Sequence, residues 1–565
     1  MPRRWASCVW LGLLVALALP LLPLSVWAQN TPIASPTLSP QPVASAPSVV
    51  QDLPSAALAE TPSVQPTLSP AVPGSAPTVT PSATPTAAPA TLPPSVRAAL
   101  ARANVPEASV AVLVQALPSM RWPADGKKGA LRSSAQANMP APRLAWQSAR
   151  AMNPASVMKT VTTAVALQNL GGQFQWHTTV WVDGAVRDGV LYGNLIVQGG
   201  GDPYLPTARL QELVAAIQAK GIARIEGDIL VNQSLWQLPP TDPGVFDGKP
   251  DRPYNAAPAA FMANMQALEV RLQPDGNQAK VSIDPPLAAW EYSSSLPLSA
   301  APCVQPEQAL APDWSAPQQL RLKGAWPRSC GARSVFFAPY PPRPDFAAQA
   351  LAGLWQASGA GLSGQGRLEP RGHRGARRLL RFASQPLQEV AKVTNTYSNN
   401  AMAKQIFLSL PVFGKLPRHL RRHTGSYSAS SKWLADWWHV HLPQVLPPVL
   451  ENGSGLSRRE RISADSLSAL LLQTAGSAAG ADFFFSLPLA GSEGTVAKLA
   501  QRDPHNRAIG QARLKTGTLD DVKALAGFVR GQSGQVYSVV VMVNDSRAAA
   551  GQAALDALLD WVAAD

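Results

Sequence analysis

Proline is spread so unevenly along this chain that its distribution decides which part can fold. Of 55 prolines, 16 lie between residues 29 and 96, a stretch with no aromatic residue, one glycine (Gly74) and two charges, Asp52 and Glu60. A segment so poor in apolar bulk buries too little surface to offset the entropy of ordering its backbone. Its mixture of Pro, Ala, Ser and Thr favours polyproline-II and coil. Residues 31–50 and 61–80 match at 11 of 20 positions, around the shared words TLSP and SAP, which marks a repeated spacer. As a flexible coil its 68 residues would reach roughly 45 Å. A chain of 565 residues carries a prior of three to four domains at about 150 residues each. Folding is confined here to the 469 residues from Arg97 onward.

The first 28 residues read as an export signal. Arg3 and Arg4 precede the apolar run Val9 to Leu24, and Val26-Trp27-Ala28 resembles a small-residue cleavage site. An uncleaved membrane anchor is the alternative, against which Pro20 and Pro23 argue by disrupting a helix. Without the signal the net charge falls from +13 to +11. In the expected compartment, the periplasm, a basic protein meets anionic lipids and wall polymers and not nucleic acid, so peripheral envelope association is expected. Two basic clusters stand out: Arg367, Arg371, Arg374, Arg377, Arg378 and Arg381, then Lys415, Arg418, Arg421 and Arg422. A solvated basic face is the plainer reading of both. Cys8 leaves with the signal, and Cys303 and Cys330 remain as an even pair in an oxidising compartment, which predicts a disulfide.

Along the folded part, a helix over Val96–Asn104 and a strand over Ser109–Leu117 come first. Asn153 followed by Pro154 marks a helix start, and apolar residues at Met158, Val161 and Val165 continue it to Gly171. From Thr178 to Gln385 short apolar strands punctuated by glycine dominate, with one helix at Ala208–Lys220. Helices resume at Pro386–Asn395 and Asn400–Leu408. The end reads as three antiparallel strands, Ala512–Leu519, Lys523–Arg530 and Val536–Asn544, and a helix, Ala549–Ala564.

Three short motifs carry the chemistry. Ser156 precedes Lys159 by three residues, which sets both side chains on one helix face, where the amine can take the hydroxyl proton. Backbone N–H groups of the first turn then lie near a developing oxyanion. Of fourteen lysines only Lys159 has a serine at that spacing. Ser398-Asn399-Asn400 is the only Ser-x-Asn in the chain and falls between two helices; Lys515-Thr516-Gly517-Thr518 holds the only Lys-Thr-Gly and falls on a strand. A glycine there admits a substrate backbone, and the lysine and threonine hydroxyls suit a carboxylate.

With these motifs in this order the chain resembles the serine penicillin-binding proteins and β-lactamases. It is most similar to the low-molecular-weight class C penicillin-binding proteins, the D-alanyl-D-alanine carboxypeptidase/endopeptidase family. Further family-like words are LYGNLIVQGGGDP (191–203), NGSGLSRRERIS (452–463), SLPLAGSEGT (486–495) and LKTGTLDDVKALAGF (514–528). Ser156 and Ser398 are 242 residues apart, which fits the large insertion of that family. The resemblance implies an α/β (α+β) transpeptidase-like domain with an antiparallel sheet flanked by helices, split into 97–185 and 385–565 around β-rich inserted subdomains at 186–384. It implies that Ser156 attacks the carbonyl of a D-alanyl peptide bond in peptidoglycan stem peptides or cross-links, with Lys159 as base. Ser398 would relay a proton to the leaving amine, Asn400 would hold Lys159 and a substrate amide, and Lys515, Thr516 and Thr518 would bind the terminal carboxylate. The N–H groups of Ser156 and Thr518 would form the oxyanion hole beside Gly517. β-Lactams would be covalent inhibitors, and no metal or organic cofactor would be needed.

Two positions depart from the family pattern: Thr396 stands where a lysine is usual, and Asn452 where the word Asp-Gly-Ser-Gly begins with aspartate. Weaker candidates are His419 and His423, four apart as in some zinc sites, and the cluster Trp433, Trp437 and Trp438, which is more typical of packing than of a glycan platform. The only acidic residue from 401 to 450 is Asp436, so the glutamate that activates water in class A β-lactamases has no counterpart there. The alternatives to a DD-peptidase are a β-lactamase or esterase on this scaffold and a non-catalytic wall-binding protein. The sequence is silent on oligomeric state.

Overall fold

Two of three strands near the C-terminus, Val522–Arg530 and Val536–Asn544, are apolar at most positions, a pattern that suits a sheet covered on both faces. In the computed structural model β3 (Ala512–Leu519), β4 (Val522–Arg530) and β5 (Val536–Asn544) pair antiparallel, and β5 continues onto β1 (Val110–Leu117) and β1 onto β2 (Leu144–Trp146), in the order β2-β1-β5-β4-β3. Alternation along β5 sends Val539, Val541 and Val543 into one core and Val536, Val540 and Met542 into another. The first core is closed by α1 (Pro94–Arg102) and the C-terminal helix Gln552–Ala563; the second by α2 (Met158–Leu170), α3 (Leu387–Tyr397), α4 (Asn400–Phe413), α5 (Tyr427–His441) and α6 (Ala464–Ala475). Ser538, a polar side chain of β5 on that second face, is satisfied by the Ser468 hydroxyl of α6 at 2.7 Å.

The structure describes residues 91–117, 120–122, 140–316, 318–369, 375–415 and 422–565. The expected export signal and nearly all of the spacer lie outside them. Leu92 and Val96 are already buried, so the folded part begins before Arg97. Among the described residues no helix is long and apolar enough to cross a membrane.

Between α2 and α3 the chain builds a third core from Val180 to Trp355. Strands Gly366–Leu368, Ile229–Asn232, Leu195–Gln198, His177–Val182 and Arg377–Ala383 form one sheet in that order, and a second runs through Trp326–Pro327, Ser295–Ser299, Gln278–Asp284, Leu268–Asp275 and Arg333–Phe337. Helices Thr207–Gln218 and Phe346–Ala357 supply apolar faces to this core. The second of these has no counterpart in the sequence reading, because FAAQALAGLWQA is buried along most of its length and shows no polar stripe. Cys303 and Cys330 are joined by a disulfide at the edge of this region. One short strand serves two cores: in Phe261–Ala263, Phe261 and Ala263 face the inserted core while Met262 faces the helices of the catalytic one.

The tryptophans of α5, Trp433, Trp437 and Trp438, are all buried, with Trp437 stacked on His441 at 4.5 Å, so they pack and present no platform. Asp436 lies on the exposed side of the same helix and pairs with Lys432 at 3.2 Å. His419 and the basic residues Arg371, Arg374, Arg418 and Arg421 lie outside the described residues. Arg377, Arg378 and Arg381 are exposed, and Arg367 pairs with Asp228 at 3.3 Å.

Trp355 is buried in the inserted core and its indole N–H donates to the Gly361 carbonyl at 2.9 Å. Trp355→Ala is expected to lower the stability of that region by about 3–5 kcal/mol, seen as an earlier urea transition; an unchanged transition would contradict this packing.

Candidate active site

The site is built around a turn that Asn153 holds in place. Its Oδ1 accepts the Ala155 N–H at 2.9 Å, its own N–H donates to Asn544 Oδ1 at 2.7 Å, and its Nδ2 donates to the Ser457 carbonyl at 2.9 Å. Ala155 takes φ of +47°, and residues 155–157 form a tight 3-10 turn before α2 begins at Met158. This differs from a helix started by Pro154: Ser156 sits in the tighter turn and Lys159 in the first turn of α2. The consequence is the geometry sought, with Lys159 Nζ within hydrogen-bond distance of Ser156 Oγ, at 2.9 Å.

Lys159 is fully buried and makes two further contacts, to Asn400 Oδ1 and to the Ser454 carbonyl, both at 2.6 Å. Burial pushes its amine well below the ordinary lysine range, and the charges of Lys515 and Lys404 push the same way against Glu460. Asn400 opens α4, whose N-terminus is capped by Asn399 accepting the Met402 N–H at 2.9 Å. The side-chain Nδ2 of Asn400 donates to the Tyr254 carbonyl at 3.0 Å, so the inserted region touches the site directly.

Between α3 and α4 lies Ser398, in the left-handed conformation with φ of +56°. A non-glycine residue is strained there by about 1–2 kcal/mol, and the conformation aims its hydroxyl at Lys515, whose Nζ donates to Ser398 Oγ at 2.9 Å. Lys515 also donates to the Thr516 carbonyl at 2.8 Å, and burial lowers its amine to about 7. The Thr516 hydroxyl meets Thr495 at 2.7 Å, and the Thr518 hydroxyl accepts from Lys523 at 3.2 Å. Two glycines let backbones close on the serine. A Cβ on Gly517 would lie 2.3 Å from the Pro154 carbonyl oxygen, and one on Gly455, at φ of +80°, 1.9 Å from that of Ala155.

The structure therefore brings Ser156, Lys159, Ser398, Asn400, Lys515, Thr516, Gly517 and Thr518 into one cluster, from three separate stretches of chain. Sequence reasoning had no role for Ser454, Tyr254, Thr495, Lys404 or Glu460. Ser454 and Tyr254 act through carbonyls, which carry no residue signature. Thr495 and Glu460 lie in the words GSEGT and NGSGLSRRE, where a flanking motif was the signal available. Thr396 is buried beside Gly494, and its hydroxyl has no hydrogen-bond partner. Among the described residues no group of three or more His, Cys, Asp or Glu is placed to hold a metal.

Residues 133–564 match the model of the D-Ala-D-Ala carboxypeptidase 3 (S13) family. The chain is 24% identical over 399 residues to the D-alanyl-D-alanine carboxypeptidase DacB of Haemophilus influenzae, covering 70% of this chain and 80% of that protein. It is 28% identical over 410 residues to a D-alanyl-D-alanine carboxypeptidase of an Actinomadura species, covering 68% and 72% respectively. The crystal structure of penicillin binding protein 4 from H. influenzae superposes with a TM-score of 0.62 at 22% identity, covering 82% of this chain and 98% of that one, a likeness of fold.

Because its Cβ would strike a backbone carbonyl in a left-handed turn, Gly455→Ala is expected to cost about 1–3 kcal/mol of stability. A urea midpoint equal to that of the parent protein would contradict the close approach of this loop to the Ser156 turn.

Proposed function

As the chain belongs to the D-Ala-D-Ala carboxypeptidase 3 (S13) family, we propose that the assembled cluster hydrolyses the D-alanyl peptide bonds of peptidoglycan stem peptides and cross-links through an acyl-enzyme on Ser156. The observation that carries this reading is the buried Lys159 amine 2.9 Å from the Ser156 hydroxyl. A neutral amine takes the hydroxyl proton as Oγ bonds to the substrate carbonyl carbon. The resulting oxyanion lies at the Ser156 turn, where the N–H groups of Ser156 and Thr518 stabilise it. Collapse breaks the peptide bond; the Ser398 hydroxyl, which Lys515 holds at 2.9 Å, gives its proton to the leaving amine and takes in its place the proton Lys159 removed from Ser156, so that Lys159 is neutral again. Water then attacks the acyl ester with Lys159 again as base, releasing the acid and restoring Ser156. Lys515 in its charged form, with Thr516 and Thr518, holds the substrate's terminal carboxylate.

The setting belongs to the same proposal. A basic start, an apolar run and a small-residue site in the first 28 residues support export, and the periplasm is where wall peptides and a disulfide both occur. β-Lactams, whose strained amide presents the same carbonyl and carboxylate, acylate Ser156 and block it.

The direct test is digestion of purified muropeptides, with and without benzylpenicillin, scoring loss of terminal alanine and opening of cross-links. Ser156→Ala is expected to lower both by at least about 10^4-fold; cleavage unchanged in that variant would sink the mechanism. The pH dependence has a definite sign. Lys159 works neutral, so kcat/KM falls as acid protonates it, and Lys515 works charged, so carboxylate affinity falls as pH rises past its value of about 7. A flat profile between about pH 5 and 9 would contradict both roles.

A further inference from the structure

Glu460 is the buried acid that the reaction above leaves without a task. It has no exposed surface, and its Oε1 accepts three successive backbone N–H groups, from Glu451 at 3.0 Å, Asn452 at 2.9 Å and Gly453 at 3.1 Å. The next residue, Ser454, is the one whose carbonyl accepts from Lys159. The same turn is anchored to α2 by the Thr162 hydroxyl, which donates to the Gly453 carbonyl at 2.6 Å, and Gly455 lies against the Ser156 turn. The carboxylate is thus the hub of a loop that touches both members of the Ser156–Lys159 pair.

Its charge has a second consequence. Three lysines are buried around this point: Lys159 on α2, Lys404 on α4 and Lys515 on β3. Lys404 has one hydrogen bond, to the Ala256 carbonyl at 3.3 Å, and burial lowers it to about 8 while Glu460 pulls it back up. Tyr427 of α5 feels Glu460 as well and is raised chiefly by its own burial. Glu460 is itself raised by burial, against the backbone N–H groups of Asn452 and Gly453 and the charge of Lys159. A buried cluster of cations is costly unless an anion offsets it.

We propose that Glu460 is a positioning residue for acylation: it fixes the Ser454 carbonyl on the Lys159 amine through the 451–454 turn and, as a carboxylate, offsets the buried amines of Lys159 and Lys404. This rests on Lys159 being the base for Ser156. It also gives a role to the departure at Asn452: where the resembled family begins this word with an aspartate, this chain has a neutral amide, and the loop's buried negative charge sits eight residues later.

Glu460→Gln keeps the shape and an accepting oxygen while removing the charge. A negative charge near Lys159 raises its proton affinity, so its loss makes the amine easier to deprotonate. The acid limb of acylation by a fluorescent penicillin is therefore expected to move to lower pH by about half a unit or more. Glu460→Asp, which keeps the charge but shortens the reach to the turn, is expected to hold the limb near its parent position and to lower the plateau rate. A merely structural role would lower rates without moving the limb. If Glu460→Gln does not fold, the comparison is made in Lys404→Met, whose own limb is expected to lie higher because a neighbouring positive charge is gone. The double variant should then lie below Lys404→Met. An acid limb in the same place with and without Glu460 overturns the proposal. Absence of any acid limb in the parent protein instead overturns Lys159 as base, so the two failures are distinguishable.

Discussion

The structure depends on one amine taken out of water. A buried ammonium is costly, and a buried neutral amine is acceptable only where its donors find acceptors. Lys159 finds acceptors for its two N–H groups in Asn400 Oδ1 at the head of α4 and the Ser454 carbonyl in the 451–460 loop, which leaves its lone pair for the Ser156 hydroxyl one turn before it. Each contact fixes a different stretch of chain, so satisfying the lysine and assembling the site are the same event. In the proposed mechanism, the lowered proton affinity that follows is what lets this amine activate the serine hydroxyl as a nucleophile.

The inserted region takes part in that arrangement. The Tyr254 carbonyl holds the Asn400 amide, and Gln405, one turn along α4 from the site, accepts from the Trp236 indole at 2.8 Å. The alternating strand Phe261–Ala263 inserts Met262 into the helical core that carries Lys159. The insertion therefore supports α4, and with it Asn400.

Much of this was legible in the residues. The strand Val536–Asn544 falls where its apolar run places it, because both faces of the sheet are covered, and Ala512–Leu519 pairs in the same sheet at the bounds the sequence indicates. The three motifs were recognisable because their side chains do the bonding. What was not legible followed from interactions without a residue signature. The 3-10 turn at Ser156 exists because Asn153 bonds the Ala155 N–H and Ala155 turns left-handed, which a Pro-started helix pattern does not announce. The helix Phe346–Ala357 has no polar face to give it away. Ser454 and Tyr254 contribute only carbonyls, and Glu460 gains its role from backbone N–H groups of a loop whose path no local pattern specifies.

The central claim is that burial keeps the Lys159 amine neutral in the free enzyme, and titration of the protein with 13C-labelled lysine observes this directly. The Cε resonance of Lys159, assigned by its loss in Lys159→Arg, is predicted to titrate well below the ordinary lysine value of 10.5. A resonance that stays charged until the pH at which exposed lysines titrate would contradict the account.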